Sequence, residues 1–187
     1  MPSETTTRTT ADPPEALRSL GLWLVADGLD DFVARATRSR FAPRQLLEEL
    51  ARLELQERAR KSVERRLRRA HLGRFKPIAD FDWSWPQKID RAAVERLLGL
   101  GFLERGENVV LVASQGLGKT LIAKNLAHAA VLAGASALFT TASDLLLDLA
   151  KQETARALER RLRHYVQPPL LCWSGSPPPS SATAPAC

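Results

Sequence analysis

Residues 108–132 read NVVLVASQGLGKTLIAKNLAHAAVL, and this stretch limits the fold more than any other. It opens on a continuous β-branched apolar run at 108–113, the pattern of a strand buried on both faces. A short glycine-containing turn follows at 114–118, then Lys119 and Thr120 start an apolar-faced helix closed by Gly134. Strand, tight turn and helix in that order are the layout of a phosphate-binding loop. Phosphate oxygens need several backbone N–H groups converging on one small concavity, and glycines let the chain fold tightly enough to supply them. The helix N-terminus adds partial positive charge at the same point. The expected nucleotide-binding residues are therefore Ser114, Gln115, Gly116, Leu117, Gly118, Lys119 and Thr120. Lys119 is expected to reach the β- and γ-phosphates of ATP, and Thr120 to offer its hydroxyl to Mg2+. The strict pattern has glycine where Ala113 stands, so only the G-x-G-K-T half matches. In isolation these residues also describe a glycine turn before a helix with an exposed lysine. The coincidence of strand, loop, Lys-Thr and helix favours the phosphate loop.

The flanking periodicities extend this unit. Residues 136–140 (SALFT) and 169–173 (PLLCW) read as further short strands, with helices expected at 143–149 and 154–165. Alternating strands and helices are the order of an α/β parallel sheet. Upstream the period is helical. Residues 1–13 are a Thr-rich polar leader expected to be disordered. From 14 to 73 the pattern gives a small helical domain, with apolar positions at Leu17, Leu20, Leu24 and Val25 and breaks near Gly21 and Gly28. Its strongest helix carries Pro43 in the first turn and a stripe of Leu46, Leu47, Leu50, Leu53 and Leu55, and stops at Gly73. Residues 74–89 form an aromatic linker, and a short helix at 90–99 has Asp90 as its N-cap. The fold class expected is α/β: a basic helical domain (14–73), the linker, a partial P-loop parallel-sheet domain (90–172) and a tail (173–187).

The net charge of +6 is unevenly distributed over the 187 residues. Between residues 58 and 76 nine basic side chains face a single acid, Glu64. At helical spacing Arg58, Lys61, Arg65, Arg68 and Arg69 share much of one face, with Arg66 beside them. Such a face can neutralise DNA phosphates without reading sequence, and these six residues are the candidate DNA contacts. The other reading is a solvated helix face balanced by Glu48, Glu49, Glu54 and Glu57. A second cluster of Arg156, Arg160, Arg161 and Arg163 is diluted by Glu159 and reads as surface. Phe81, Trp83 and Trp85 can be read as a stacking platform for bases. Pinning the linker to the next domain is the stronger reading. His128 lies mid-helix among alanines and reads as structural. No constellation of paired carboxylates or Ser/His/Asp stands out, so no catalytic residue is assigned. The polar N-terminus is not a secretory signal, no apolar run is long enough to span a bilayer, and Cys172 and Cys187 build neither a disulfide framework nor a metal site. A cytoplasmic location is expected.

The segments DFDWSWP, ERGENVVLV and FTTASDLLLDL, together with the ASQGLGKT loop, resemble the IstB-like ATP-binding proteins. These are helper ATPases of bacterial insertion sequences, related to DnaC-type helicase loaders within the AAA+ class. The likeness runs over about residues 46–169, and the Ala-Ser-Gln variant of the loop also occurs in that family. It implies a helical domain followed by an AAA+ core, ATP and Mg2+ as cofactors, and ATP-dependent assembly on DNA beside a transposase. It leaves open a homo-oligomer. The family carries Asp-Glu at the end of the third strand, to hold Mg2+ and orient water. Here that strand continues as Trp173-Ser174-Gly175, and no acid follows Glu159. Residues 165–187 contain no charged side chain and six of the twelve prolines. A frameshift near Cys172 is the expected cause, which reading the other two frames beyond this codon would test; a genuine Pro/Ser-rich tail is the alternative. The resulting expectation is a helper that binds ATP and hydrolyses it poorly. The rival is a non-enzymatic basic helical DNA- or partner-binding module with a vestigial P-loop.

Overall fold

The computed structural model describes residues 12–84 and 89–175, so what is expected of residues 1–11, of Trp85 and of residues 176–187 lies outside the described residues. The chain divides into two units, Met1–Ser62 and Val63–Cys187.

In the first unit, α1 (Pro13–Ser19), α2 (Trp23–Asp27) and α3 (Leu29–Arg38) precede α4 (Pro43–Arg69), which continues into the second unit. Gly21, at φ +78°, turns the chain between α1 and α2 in the left-handed region that glycine tolerates best. Val25, Ala26, Phe32 and Ala36 are buried and form the centre of this unit. Helix α2 has no side-chain cap at Leu22. One of its orphan donors is instead met from α4. The Glu54 carboxylate, only 3% exposed, accepts the Val25 N–H at 2.9 Å. The inner face of α4 runs through Leu46, Leu50, Leu53 and Glu54, while Leu47 and Leu55 are exposed. The expected leucine stripe is corrected at those two positions. At 100° per residue Leu55 lies about half a turn from the line through Leu46, Leu50 and Leu53, whereas Leu47 shares the side of Glu54 seven residues on, and only Glu54 is covered there.

The second unit holds α5 (Arg91–Leu98), α6 (Gly101–Glu104), α7 (Lys119–Leu132), β1 (Ala137–Thr141), α8 (Ala142–Ala150), α9 (Ala155–Val166) and β2 (Leu170–Ser174). A single 3-10 turn, Ile78–Asp80, precedes α5. Three helices start on side-chain caps. Asp90 accepts from the Ala93 N–H, Thr141 from Asp144 and Thr154 from Ala157. Strands β1 and β2 pair in parallel, with Ala137 opposite Leu170 and Thr141 opposite Ser174. Phe139 N–H also donates to the Ala70 carbonyl at 2.9 Å. Helix α7 covers this pair. Ala127 and Val131 join Ala70, Leu72, Ala137 and Phe139 in one buried cluster, against which Leu67, Phe75, Ala123, Leu170 and Cys172 pack.

The expected three-stranded sheet is therefore a two-stranded one among the described residues. Residues 108–113 form no ladder. Nor are they buried on both faces, since Val110 and Val112 are 80% and 88% exposed. Val109 and Leu111 are half-buried, and Leu111 packs on a second cluster of Val94, Ile122 and Leu126. The run alternates in and out with period two, as extended backbone does, with one face on the helices. A β-branched run becomes strand only where another strand supplies hydrogen-bond partners, and none of the described residues does so here.

Candidate nucleotide site and basic helix face

The loop at 114–118 and the first turn of α7 form the candidate site. Gly116 and Gly118 both lie in the left-handed region, at φ +82° and +84°. Gly118 is the N-cap residue of α7 and makes no side-chain cap hydrogen bond, so the N–H groups of the first turn are not consumed by a capping side chain. The first intrahelical bond runs from Ile122 N–H to the Gly118 carbonyl at 3.0 Å. No acidic side chain occupies the first turn. A 14-residue helix thus presents its positive end at a loop whose two glycines already hold the conformation that exposes backbone donors. The Lys119 ammonium is folded back onto the loop, donating to the Ala113 and Ser114 carbonyls at 2.7 Å each. Ser114, Gln115 and Gly116 are exposed, as is Thr120, while Leu117, Gly118 and Lys119 are half-buried. All seven expected residues thus fall in one continuous loop and helix start.

Behind the loop, the segment read as a linker is held on α7. Buried Asn125 accepts the Ile78 N–H at 2.8 Å and donates to the Lys76 carbonyl at 3.0 Å and to the Leu121 carbonyl at 2.9 Å. Ile78, Phe81 and Trp83 pack on the Val94, Ile122 and Leu126 cluster. Asn125 had no signal beyond being a polar residue in an apolar helix. His128, read as structural, meets the Phe75 ring edge-on at 5.5 Å.

The candidate DNA contacts are less uniform than their spacing suggested. In the first unit, Arg58 donates to the Gly21 carbonyl at 3.1 Å. Lys61 lies 3.3 Å from Glu57. Arg60 also binds Glu57, at 2.8 Å, and these two cations hold the Glu57 carboxyl down to about 2, Arg60 contributing most. In the second unit, Arg68 pairs with Glu64 at 3.0 Å, Arg65 and Arg69 are exposed, and Arg66 is half-buried. Of the acids named as balancing groups, Glu48 pairs with Arg44, Glu49 with Arg52, Glu54 caps α2, and Glu57 meets the basic stretch through Arg60 and Lys61.

The second arginine cluster holds a packing contact that its charge did not disclose. Asp148 on α8 accepts hydrogen bonds from Tyr165 Oη at 2.6 Å and from Arg161 Nε on α9. The Arg161 guanidinium also lies 5.3 Å from the Tyr165 ring centroid. Among the described residues no group of three His, Cys, Asp or Glu side chains could hold a metal ion. None of the described helices is long and apolar enough to cross a membrane.

Residues 15–174 match the sequence model of a family described as IstB-like ATP binding protein. An ATP-binding protein of an insertion sequence in Mycobacterium tuberculosis is 33% identical over 156 residues, which is 83% of this chain and 62% of the relative. An IS21 ATP-binding protein of Pseudomonas aeruginosa is 40% identical over 106 residues, 57% of this chain and 40% of the relative. An IS21-like ATP-binding protein of Bacteroides fragilis is 30% identical over 168 residues, 90% of this chain and 84% of the relative. The chain thus spans about 62% and 40% of the lengths of the first two.

Proposed function

This chain belongs to the IstB-like ATP-binding protein family, and from that premise we propose that residues 114–120 bind the phosphates of ATP in a helper protein of insertion-sequence transposition. The observation that carries the reading is the uncapped start of α7, with two left-handed glycines before it and Lys119 within the loop. Triphosphate entry draws the Lys119 ammonium from the two loop carbonyls to phosphate oxygens, exchanging neutral acceptors for charged ones. Thr120 is the protein oxygen that would hold Mg2+. One hydroxyl fits that ion, which commonly keeps several waters and takes phosphate oxygens as its remaining ligands. Mg2+ bound there would neutralise phosphate charge.

Hydrolysis is proposed to be slow. A water attacking the γ-phosphate needs a positioning carboxylate, and β2 ends in Trp173 and Ser174. Titration with labelled ATP tests the binding: Lys119→Ala should abolish it, and unchanged affinity would leave a vestigial loop on a basic module. That second reading draws on one observation, the absence of a strand at 108–113 before the loop. A turnover like that of ordinary AAA+ ATPases would refute slow hydrolysis.

For partners we propose DNA, through the phosphates, and the transposase of the same insertion sequence. Exposed Arg65, Arg68 and Arg69 support the DNA contact. Replacing Arg68 and Arg69 with Gln should flatten the fall of log affinity with log salt by about 0.9 per lost contact; an unchanged slope would exclude them.

A further inference from the structure

In its packed position the aromatic linker touches the phosphate loop. At Gly118, a Cβ would lie 2.7 Å from Phe81 Cε2 and 3.3 Å from Phe81 Cζ, whereas at Gly116 it would meet nothing within 4 Å. Phe81 therefore occupies the side-chain space of the residue that starts α7. The ring is itself braced. Its centroid lies 4.7 Å from that of Trp83 at an interplanar angle of 57°, and the Arg91 guanidinium sits 5.2 Å from the Trp83 ring centroid. Behind both, Val94, Ile122 and Leu126 form the buried floor, and Asn125, about two turns beyond Gly118, ties Lys76 and Ile78 to α7. Retreat of the half-buried ring would give up its contacts with Trp83 and with the Val94, Ile122 and Leu126 cluster.

We infer that Phe81 is a positioning residue for nucleotide binding. It is a wedge that holds Gly118 in the left-handed conformation aiming the first-turn N–H groups of α7 at phosphate, and Trp83 transmits the loading of that loop. This rests on the proposal that residues 114–120 bind ATP. A loop held ready by its neighbours loses less freedom when ligand arrives, so removing the wedge weakens binding even though Phe81 makes no contact with phosphate. Gly118 then has two reasons to be glycine, the positive φ and the ring over its α-carbon.

The test uses a full chain in which Trp23, Trp85 and Trp173 are replaced by Phe, leaving Trp83 as the reporter, with a labelled ATP analogue as an independent measure of occupancy. ATP at saturating occupancy should change the Trp83 emission. Phe81→Ala should weaken ATP binding roughly tenfold, the scale of a modest loss of preorganisation, and should uncouple Trp83 emission from occupancy. Far-ultraviolet dichroism and the melting curve of the variant check that α7 remains folded. If the reporter chain binds the analogue and Trp83 emission stays constant, the inference is overturned without any change at Phe81. It is equally overturned if Phe81→Ala binds ATP as the parent does. If the parent chain binds no ATP at all, the nucleotide-binding proposal itself fails, an outcome distinct from either.

Discussion

Gly116 and Gly118 differ by 2° in φ, yet alanine at the two positions should have different consequences. At +82° and +84° an L-residue with a Cβ costs roughly 1–2 kcal/mol relative to glycine. Alanine also lowers the entropy of the unfolded chain, which offsets about 0.4–1 kcal/mol of that. Gly116→Ala has open space for its methyl group and should destabilise the second unit by about 1 kcal/mol. Gly118→Ala carries the same backbone cost plus an overlap with Phe81 at 2.7 Å. The ring is braced, so the overlap should behave as core overpacking and add about 1–3 kcal/mol. Urea unfolding followed by Trp83 emission in the single-tryptophan chain measures both variants. Adding Phe81→Ala to each closes a double-mutant cycle. The coupling should exceed about 1 kcal/mol for Gly118 and be close to zero for Gly116. Equal losses at the two glycines, or no coupling at Gly118, would show that the ring does not constrain the loop.

Glu54→Ala leaves the buried Val25 N–H without its acceptor and should destabilise the first unit by about 1–3 kcal/mol. Glu54→Gln keeps an acceptor there and should retain most of the stability in the same thermal melts. Cys172, whose thiol burial pushes up to about 11, should resist a thiol reagent at pH 8 until the chain is unfolded; the measurement is made with Cys187 replaced by Ser. Tyr165 foremost, and then Arg161, hold the Asp148 carboxyl below its ordinary range. A depressed folded-state value means the stabilisation is present above the unfolded-state value near 3.8 and is lost as pH falls through the lower folded one. Asp148→Asn should therefore reduce the acid-side loss of stability, and unchanged acid unfolding would show that the pair contributes nothing.

What could be read in advance was local. Helix α7 follows from its own composition and from the glycines on either side, and Asp90 behaves as the cap its position promised because a cap needs only the next three residues. The tight turn at 114–118, with Gly116 and Gly118 both at positive φ, is legible for the same reason. Residues 108–113 are not, because a strand is defined by a partner elsewhere in the chain, and a β-branched run carries no information about whether one arrives. Leu55 falls outside the stripe through helical phase, while Leu47 shares the side of buried Glu54 and is exposed because burial depends on which neighbours arrive along the helix. The arginines of α4 illustrate a third limit. Their spacing gives a common face, but it does not say which are already engaged: Arg60 and Arg68 pair with Glu57 and Glu64 a turn away, while Arg58 finds a backbone carbonyl, that of Gly21, distant in sequence.

The aromatic linker joins these cases. Alternation of Phe81 and Trp83 points to an anchored segment, and both rings pack on the same cluster. It could not reveal that Phe81 also lies over the glycine in front of Lys119. That contact explains why a segment without helical or strand periodicity carries so large an apolar payload. The energy of burying two rings is spent beside the loop whose backbone must be held in an unfavourable conformation for an L-residue. A linker serving only as a tether would work as well with small polar residues at 81 and 83. If Phe81→Ala and Trp83→Ala together left ATP affinity unchanged while lowering the melting temperature, the rings would be ballast for α5 and α7, and the phosphate loop would be organised by its own glycines alone.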